Sequence, residues 1–439
     1  MKDHSPAACA AQYAEAIEGA YMRSGTSADG LVDALDAHAI RDLSVPDQER
    51  LATAIATSLP MGYPRQRLFV DVTATAATDR MTGVERVARR LVESWLADPP
   101  EGFCIEAVRL VEGDGEWRYV TAVDWMRRIT DSDLAELGDE VIAPGPGDVL
   151  GIVDISGQQL VDAVESGLHE QLRADGCVVF SVVHDILPIT HPHCFPPGAG
   201  ETHQRWLEAI STVDAIFGTS RAVRDSVRSW LAQNRPERAE VIHTGRFALG
   251  TDHAAASDAD AASFPLELPA DQRLFITVGT IEPRKRHQQV VDAFEHRWAA
   301  GSTDCLVIVG KEGWQDLPDS HRRDIPETVR RLRNHPERGQ RLFWLDGLSD
   351  AELEALYRRA NGLIAASEDE GYGLPVVEAA ARGLPILPRD IPVFREVAPA
   401  GTQFFDGMDG ESLAAALAEW LPGETPDAAG SPPAPVSWQ

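Results

Sequence analysis

Two glutamates bracket a short glycine loop in the C-terminal part of the chain: Glu370-Gly371-Tyr372-Gly373-Leu374-Pro375-Val376-Val377-Glu378. The apolar run Gly362-Leu363-Ile364-Ala365-Ala366 before it reads as a buried strand. Pro375 suits the first position of a helix, and Gly383 lies where a C-terminal cap belongs. The order is therefore strand, glycine loop, helix. Backbone N–H groups at such a helix start favour an anion, above all a diphosphate. Ionised carboxylates only accept hydrogen bonds, and sugar hydroxyls are abundant donors. A carboxylate on each side of the loop thus suits a ligand that is both phosphorylated and rich in hydroxyls. A solvated acidic loop before an ordinary helix would show the same two residues, so the neighbouring segments must decide.

Gly279-Thr280-Ile281-Glu282-Pro283-Arg284-Lys285-Arg286 follows another predicted strand and precedes a helix through Val290, Val291, Ala293 and Phe294. Three cations fit a helix start poorly, because the dipole there prefers anions. Arg284, as a planar fork, and Lys285, as a compact charge, are suited to neutralising a diphosphate. His184 and Asp185 end the apolar run from Val178 to Val183, so they fall at a strand's carboxyl edge. In Thr82-Gly83-Val84-Glu85-Arg86, Gly83 would let the backbone approach a ligand closely. Thr219 and Ser220 follow the run from Ala215 to Gly218; they either line a cleft or cap the next helix. His191, His193 and Cys194 lack the spacing of a recognised metal site. No metal and no other cofactor is expected.

Taken in order, these segments resemble the retaining GT-B glycosyltransferases of the "glycosyl transferases group 1" type, and in particular bacterial surface-polysaccharide mannosyltransferases. The resemblance spans roughly residues 66 to 407 and is densest from 273 to 397. It rests on Glu370 and Glu378 with seven residues between them. It also rests on the upstream Leu348-Ser349-Asp350-Ala351-Glu352-Leu353, the downstream Gly383-Leu384-Pro385-Ile386, and Ile391-Pro392-Val393-Phe394-Arg395-Glu396-Val397. It implies a nucleotide-sugar donor and a glycan or lipid-linked glycan acceptor. Glu378 would hold the ribose, Glu370 the donor-sugar hydroxyls, and Arg284 with Lys285 the leaving diphosphate. His184 would position the sugar, with Asp185 orienting it or meeting the acceptor. Gly83, Gly279, Thr280, Gly371, Tyr372, Gly373 and Leu374 would line the donor. Many members have Arg where this chain has Thr280, which leaves that contact missing or supplied by Arg284. The stretches from Asp71 to Arg86 and from Ile391 to Val397 point to GDP-mannose; GDP-rhamnose, GDP-fucose and uridine-linked sugars stay open. The alternatives are a noncatalytic sugar-nucleotide-binding subunit of an assembly complex and a GT-B epimerase.

These residues need a scaffold that brings strand ends together. Short apolar runs alternate with helical periodicity from Leu68 onward, which predicts an α/β architecture with parallel sheets covered on both faces. The strands expected are Leu68 to Val72, Val149 to Val153, Val178 to Val183, Ala215 to Gly218 and Val241 to His243. After a linker at residues 250 to 270 come Leu274 to Val278, Cys305 to Val309, Leu342 to Leu345 and the run before Glu370. The expected organisation is a helical extension (1–64), a Rossmann-like acceptor domain (65–255), a Rossmann-like nucleotide-sugar domain (256–421) and a disordered tail (422–439). Two doubly wound domains would face a cleft, the GT-B arrangement that the resemblance implies. Ligands bind such sheets beyond the carboxyl ends of their strands.

Composition narrows the partners. A net charge of −29 disfavours nonspecific nucleic-acid binding, which needs a basic footprint. The 439 residues are 44% hydrophobic, enough for two cores, yet no run reaches the roughly 18 apolar residues of a membrane span. Five scattered cysteines and a start without an apolar signal core suggest the cytoplasm, with peripheral contact at the membrane's inner face still open.

Overall fold

The computed structural model describes residues 66–77, 83–130, 138–246, 249 and 272–420. The expectations for residues 1–64, for Thr82, for most of the linker and for the tail lie outside these residues.

The N-terminal half carries a seven-stranded sheet. Its strands are β1 (Gln66–Asp71), β2 (Phe103–Gly113), β3 (Glu116–Thr121), β4 (Val149–Ile152), β5 (Val178–Val183), β6 (Ala215–Gly218) and β7 (His243–Arg246). Their order is β3-β2-β1-β4-β5-β6-β7. The C-terminal half carries five strands: β8 (Leu274–Val278), β9 (Cys305–Val309), β10 (Leu342–Leu345), β11 (Gly362–Ala365) and β12 (Ile386–Pro388), in the order β10-β9-β8-β11-β12. All four pairings of that sheet are parallel. Its order is that of a dinucleotide-binding sheet, and the order reverses between β8 and β11. In the other sheet it reverses between β1 and β4. Ligand-binding crevices open at such reversals because the flanking crossover helices leave on opposite faces.

β5, β6, β8, β9 and β10 fall on the predicted bounds. β1, β4 and β11 differ by one or two residues at their ends, β7 begins and ends later than expected, and β2, β3 and β12 were not among the expected strands. Val241 and Ile242 were expected to open β7, but their N–H groups bond to the Arg238 carbonyl and close the preceding turn; β7 starts at His243. β2 and β3 are an antiparallel hairpin within an otherwise parallel expectation. Polar residues interrupt β2 (Glu106, Arg109, Glu112), so it shows no continuous apolar run. Its signal was the Asp114-Gly115 turn, with φ of 57° and 80°, the usual Asp-Gly hairpin pair. β12 has only three residues.

Burial accounts for the strands that match the apolar runs. Every residue of β9 is buried, as are four of the five of β8, and both helical layers cover them. Ser349 and Glu352 form a capping box: the Ser349 side chain accepts from Glu352 N, and the Glu352 carboxylate accepts from Ser349 N.

β8 and β9 leave the sheet almost in contact. At Gly310 φ is +155°, and a Cβ there would overlap the Gly279 carbonyl. Backbone cannot yield as a flexible side chain can. Gly310→Ala is therefore expected to destabilise by about 2 kcal/mol or more. Gly145→Ala, where a Cβ meets nothing within 4 Å, should be near neutral. Denaturant midpoints of the two variants check this.

Candidate active site

The ends of β8 and β11 carry one ion cluster. Pro283–Lys285 form a single 3-10 turn, and Arg286 follows with φ 56°, which opens the helix His287–Ala299. This turn aims Arg284 and Lys285 at Glu370, just beyond β11. Arg284 Nη1 donates to Glu370 Oε2 at 2.7 Å, Lys285 Nζ donates to Oε1, and Ser367 Oγ donates to Oε1 at 2.7 Å. Arg284 Nε reaches Glu282 at 3.0 Å. Burial would raise the Glu370 carboxyl, but Arg284 and Lys285 outweigh it and hold the group at about 2. Burial likewise works against the Arg284 charge, and Glu370, Glu282 and Asp185 overcome it. The cation turn is thus ordered by Glu370 before any ligand arrives.

Gly371-Tyr372-Gly373 then runs into the helix Leu374–Ala381, one residue earlier than Pro375; Gly373 is its N-cap. Gly371 meets the other half of the molecule. A Cβ there would fall on the His184 carbonyl, and Thr219 Oγ1 donates both to that carbonyl (3.0 Å) and to the Gly371 carbonyl (3.4 Å). His184 is buried with Nε2 against the Val153 carbonyl at 2.8 Å, and burial lowers its pKa so that it stays neutral. Asp185 Oδ1 accepts from Leu187 N. The structure therefore brings His184, Asp185, Thr219, Arg284, Lys285, Glu370 and Gly371 together where the two halves meet. Gly279 sits against Lys285, and the Thr280 carbonyl contacts His287 at 3.1 Å.

Other expected residues have more structural surroundings. Ser220 is fully buried and caps the helix Arg221–Asn234 through Val223 N, so capping is the role it takes here. Tyr372 OH donates to the Leu249 carbonyl at 2.8 Å. Glu378 accepts from Tyr357 OH at 2.8 Å; burial raises its pKa against the pull of that bond, of Arg86 and of Arg382. Gly83 is the first residue of the helix Gly83–Ala97. Arg86, one turn on, pairs with Asp350 of the other half at 3.2 Å.

Sequence reasoning missed Glu282, Ser367 and Tyr357 as partners of the site. Glu282 lay inside the motif Gly279 to Arg286, and Ser367 directly follows the apolar run that ends at Ala366. Tyr357 could be found only through contact. Glu396 was quoted but given no role. It accepts from Arg221 N at 2.7 Å and from Arg246 at 3.1 Å, which ties the helix Pro392–Val397 to the N-terminal half.

Residues 258–429 match the family described as "Glycosyl transferases group 1". The C-terminal half thus contains a domain similar to the group 1 glycosyltransferases. The chain is 34% identical over 392 residues to the serotype-specific mannosyltransferase WbdA of Escherichia coli, covering 86% of this chain and 45% of WbdA. It is 24% identical to the O-antigen chain mannosyltransferase RfbU of Salmonella typhimurium, over 54% of this chain and 58% of RfbU. The chain thus spans about half the length of these curated relatives. In fold it is similar to Anabaena HepE in complex with UDP-glucose (TM-score 0.55, 14% identity, 81% of this chain and 89% of that one). It is also similar to sucrose-phosphate synthase from Thermosynechococcus elongatus (TM-score 0.53, 18% identity, 81% and 89%). The fold is GT-B. Among the described residues no helix is long and apolar enough to cross a membrane.

Glu370→Gln would leave Lys285 and Arg284, only 12% and 17% exposed, short of a carboxylate. The expected loss at neutral pH is roughly 3 kcal/mol. The folded value of about 2 lies below the ordinary 4.5, so the contribution is complete above 4.5 and disappears as pH falls toward 2. Unfolding of wild type and variant should converge in acid; a gap independent of pH would refute the role given to the ion cluster.

Proposed function

We infer that the protein transfers a sugar from a nucleotide-diphosphate donor to a glycan or lipid-linked glycan acceptor, with retention of the anomeric configuration, and that the sugar is mannose carried on GDP. The observation that carries the reading is the pair Arg284 and Lys285, ordered by Glu370 at the sheet reversal between β8 and β11. The similarity to WbdA and RfbU, both named mannosyltransferases, supports the sugar.

In this reading the diphosphate lies over the turn Pro283–Lys285 and faces the start of the helix Leu374–Ala381, where two cations stand beside the positive end of the helix dipole. Arg284 and Lys285 stabilise the charge that grows as the sugar–phosphate bond breaks, a role that a metal fills elsewhere. Glu370 keeps both cations in place and accepts from sugar hydroxyls. Glu378, freed from Tyr357 or sharing it, accepts from the ribose. The acceptor hydroxyl enters on the face the diphosphate leaves, and a phosphate oxygen takes its proton. A covalent route needs a nucleophile on the opposite face, whereas Glu370 stands beside the cations that bind the leaving group. His184, neutral and fixed by Val153, positions the sugar from the other half.

A thermal-shift screen of nucleotide sugars tests the donor, because a ligand of the folded state raises its stability. Guanosine nucleotides should protect; protection by uridine nucleotides alone would overturn the GDP assignment. Glu378→Ala should weaken the bound nucleotide by about 1–3 kcal/mol. Lys285→Ala should slow transfer more than it weakens binding, since its charge matters most in the transition state.

The first-formed linkage should keep the donor's anomeric configuration, and turnover should persist in chelator. NMR of the product decides the first point, and an inverted anomer would overturn the retaining assignment. Activity lost in EDTA and restored by Mg²⁺ or Mn²⁺ would move the electrostatic role from Arg284 and Lys285 to a metal.

A further inference from the structure

Two residues before Glu370, a second polar cluster spans the two halves. The turn Pro192–Cys194 presents His193 and Cys194 from the N-terminal half, and Glu368 faces them from the C-terminal half. His193 Nε2 lies 2.8 Å from Glu368 Oε2, and Cys194 Sγ donates to the same oxygen at 3.7 Å. The three ligand atoms all lie within 4.8 Å of one another.

We propose that His193, Cys194 and Glu368 bind Zn²⁺, and that the ion clips the two halves of the cleft together beside the ion cluster of Glu370. Tetrahedral zinc with one sulfur and lighter ligands places its ligand atoms roughly 3.3–3.6 Å apart. The Cys194–Glu368 separation already fits. The His193–Glu368 separation must widen by about half an ångström, which His193, 64% exposed, is free to do. A thiolate, an imidazole and one carboxylate oxygen form a set that suits zinc and not Mg²⁺ or Ca²⁺. A fourth position stays open to water on the exposed side of His193.

The surroundings prepare this geometry. Arg286 Nη1 holds the other carboxylate oxygen, Glu368 Oε1, at 3.1 Å, and Glu368 N donates to the Arg284 carbonyl at 2.8 Å. Oε2 is thereby left facing His193 and Cys194, as an outer hydrogen bond orients a metal-binding carboxylate. The charge of Arg284 is already balanced by Glu282 and Glu370, so it opposes the ion weakly. The thiol proton now occupies the place where the metal would sit. Binding exchanges that proton for Zn²⁺, and the thiolate and carboxylate together neutralise the ion.

The inference goes beyond the transferase reading and does not depend on its donor. Its consequence is inhibition: a bound ion fixes Pro192–Cys194 to the segment that carries Glu370, so the halves separate less readily.

The test uses the full chain, free of any affinity tag, stripped with chelator and dialysed against buffered Zn²⁺ or Co²⁺. The wild type should retain one tightly held ion and, with Co²⁺, show a thiolate charge-transfer absorption. His193→Ala, exposed and safe for folding, should weaken retention by roughly 10–100-fold or more. Cys194→Ser should abolish the thiolate absorption, and Cys104→Ser should leave it intact. If His193→Ala and Cys194→Ser bind as the wild type does, or the wild type retains no ion, the proposal fails. Because binding is read without turnover, this failure is distinct from failure of the donor assignment.

Discussion

The site is organised by one carboxylate between two cations. Glu370 draws Arg284 and Lys285 toward the end of β11, although they sit in a turn at the end of β8. Largely buried cations are costly without a partner, and a buried carboxylate is costly without cations. Each side therefore fixes the other. Ser367 completes the carboxylate's bonding, and Glu282 completes that of Arg284. The result is a cationic turn whose side chains are held in place by groups of the protein alone.

Backbone proximity extends that constraint across the cleft. Gly371 follows Glu370 directly and lies against the His184 carbonyl, with Thr219 bridging the two carbonyls. His184 in turn is anchored to Val153 beyond β4. The motif residues are thus linked in one chain of contacts from β8 through β11 to β5. Exposed links such as Arg86 to Asp350 contribute little to it, since solvent screens such pairs.

The matching reversal in the N-terminal sheet holds a different pair. Asp71 ends β1 and Asp154 follows β4, both fully buried. Asp71 accepts from Thr73 N, Thr73 Oγ1 and Tyr119 OH; Asp154 accepts from Thr75 N. Burial raises both carboxyls, and Asp71 raises Asp154 further. The two aspartates fasten the short segment Thr73–Ala77 to the sheet edge. Asp71 was visible as the polar end of an apolar run, but nothing in the local sequence linked it to Asp154, 83 residues away.

The sequence by itself determined the strand–loop–helix units. Apolar runs such as β9 are buried on both faces, and their length and spacing are local properties of the chain. It also determined which residue types stand at the strand ends: Glu370, Arg284, Lys285 and His184 all fall where the runs stop. The hairpin β2–β3 was legible only from its Asp-Gly turn, because Glu106, Arg109 and Glu112 break the apolar pattern of β2. Only the tertiary structure decided the pairings. That Arg284 and Lys285 point at Glu370, that Tyr357 holds Glu378, that Thr219 bridges the halves, and that Glu368 meets His193 and Cys194 are contacts between residues distant in sequence. Each depends on strand order and on where the loops turn, as at the left-handed residues Arg286 and Gly373, and no local pattern records which distant side chain a strand end will face.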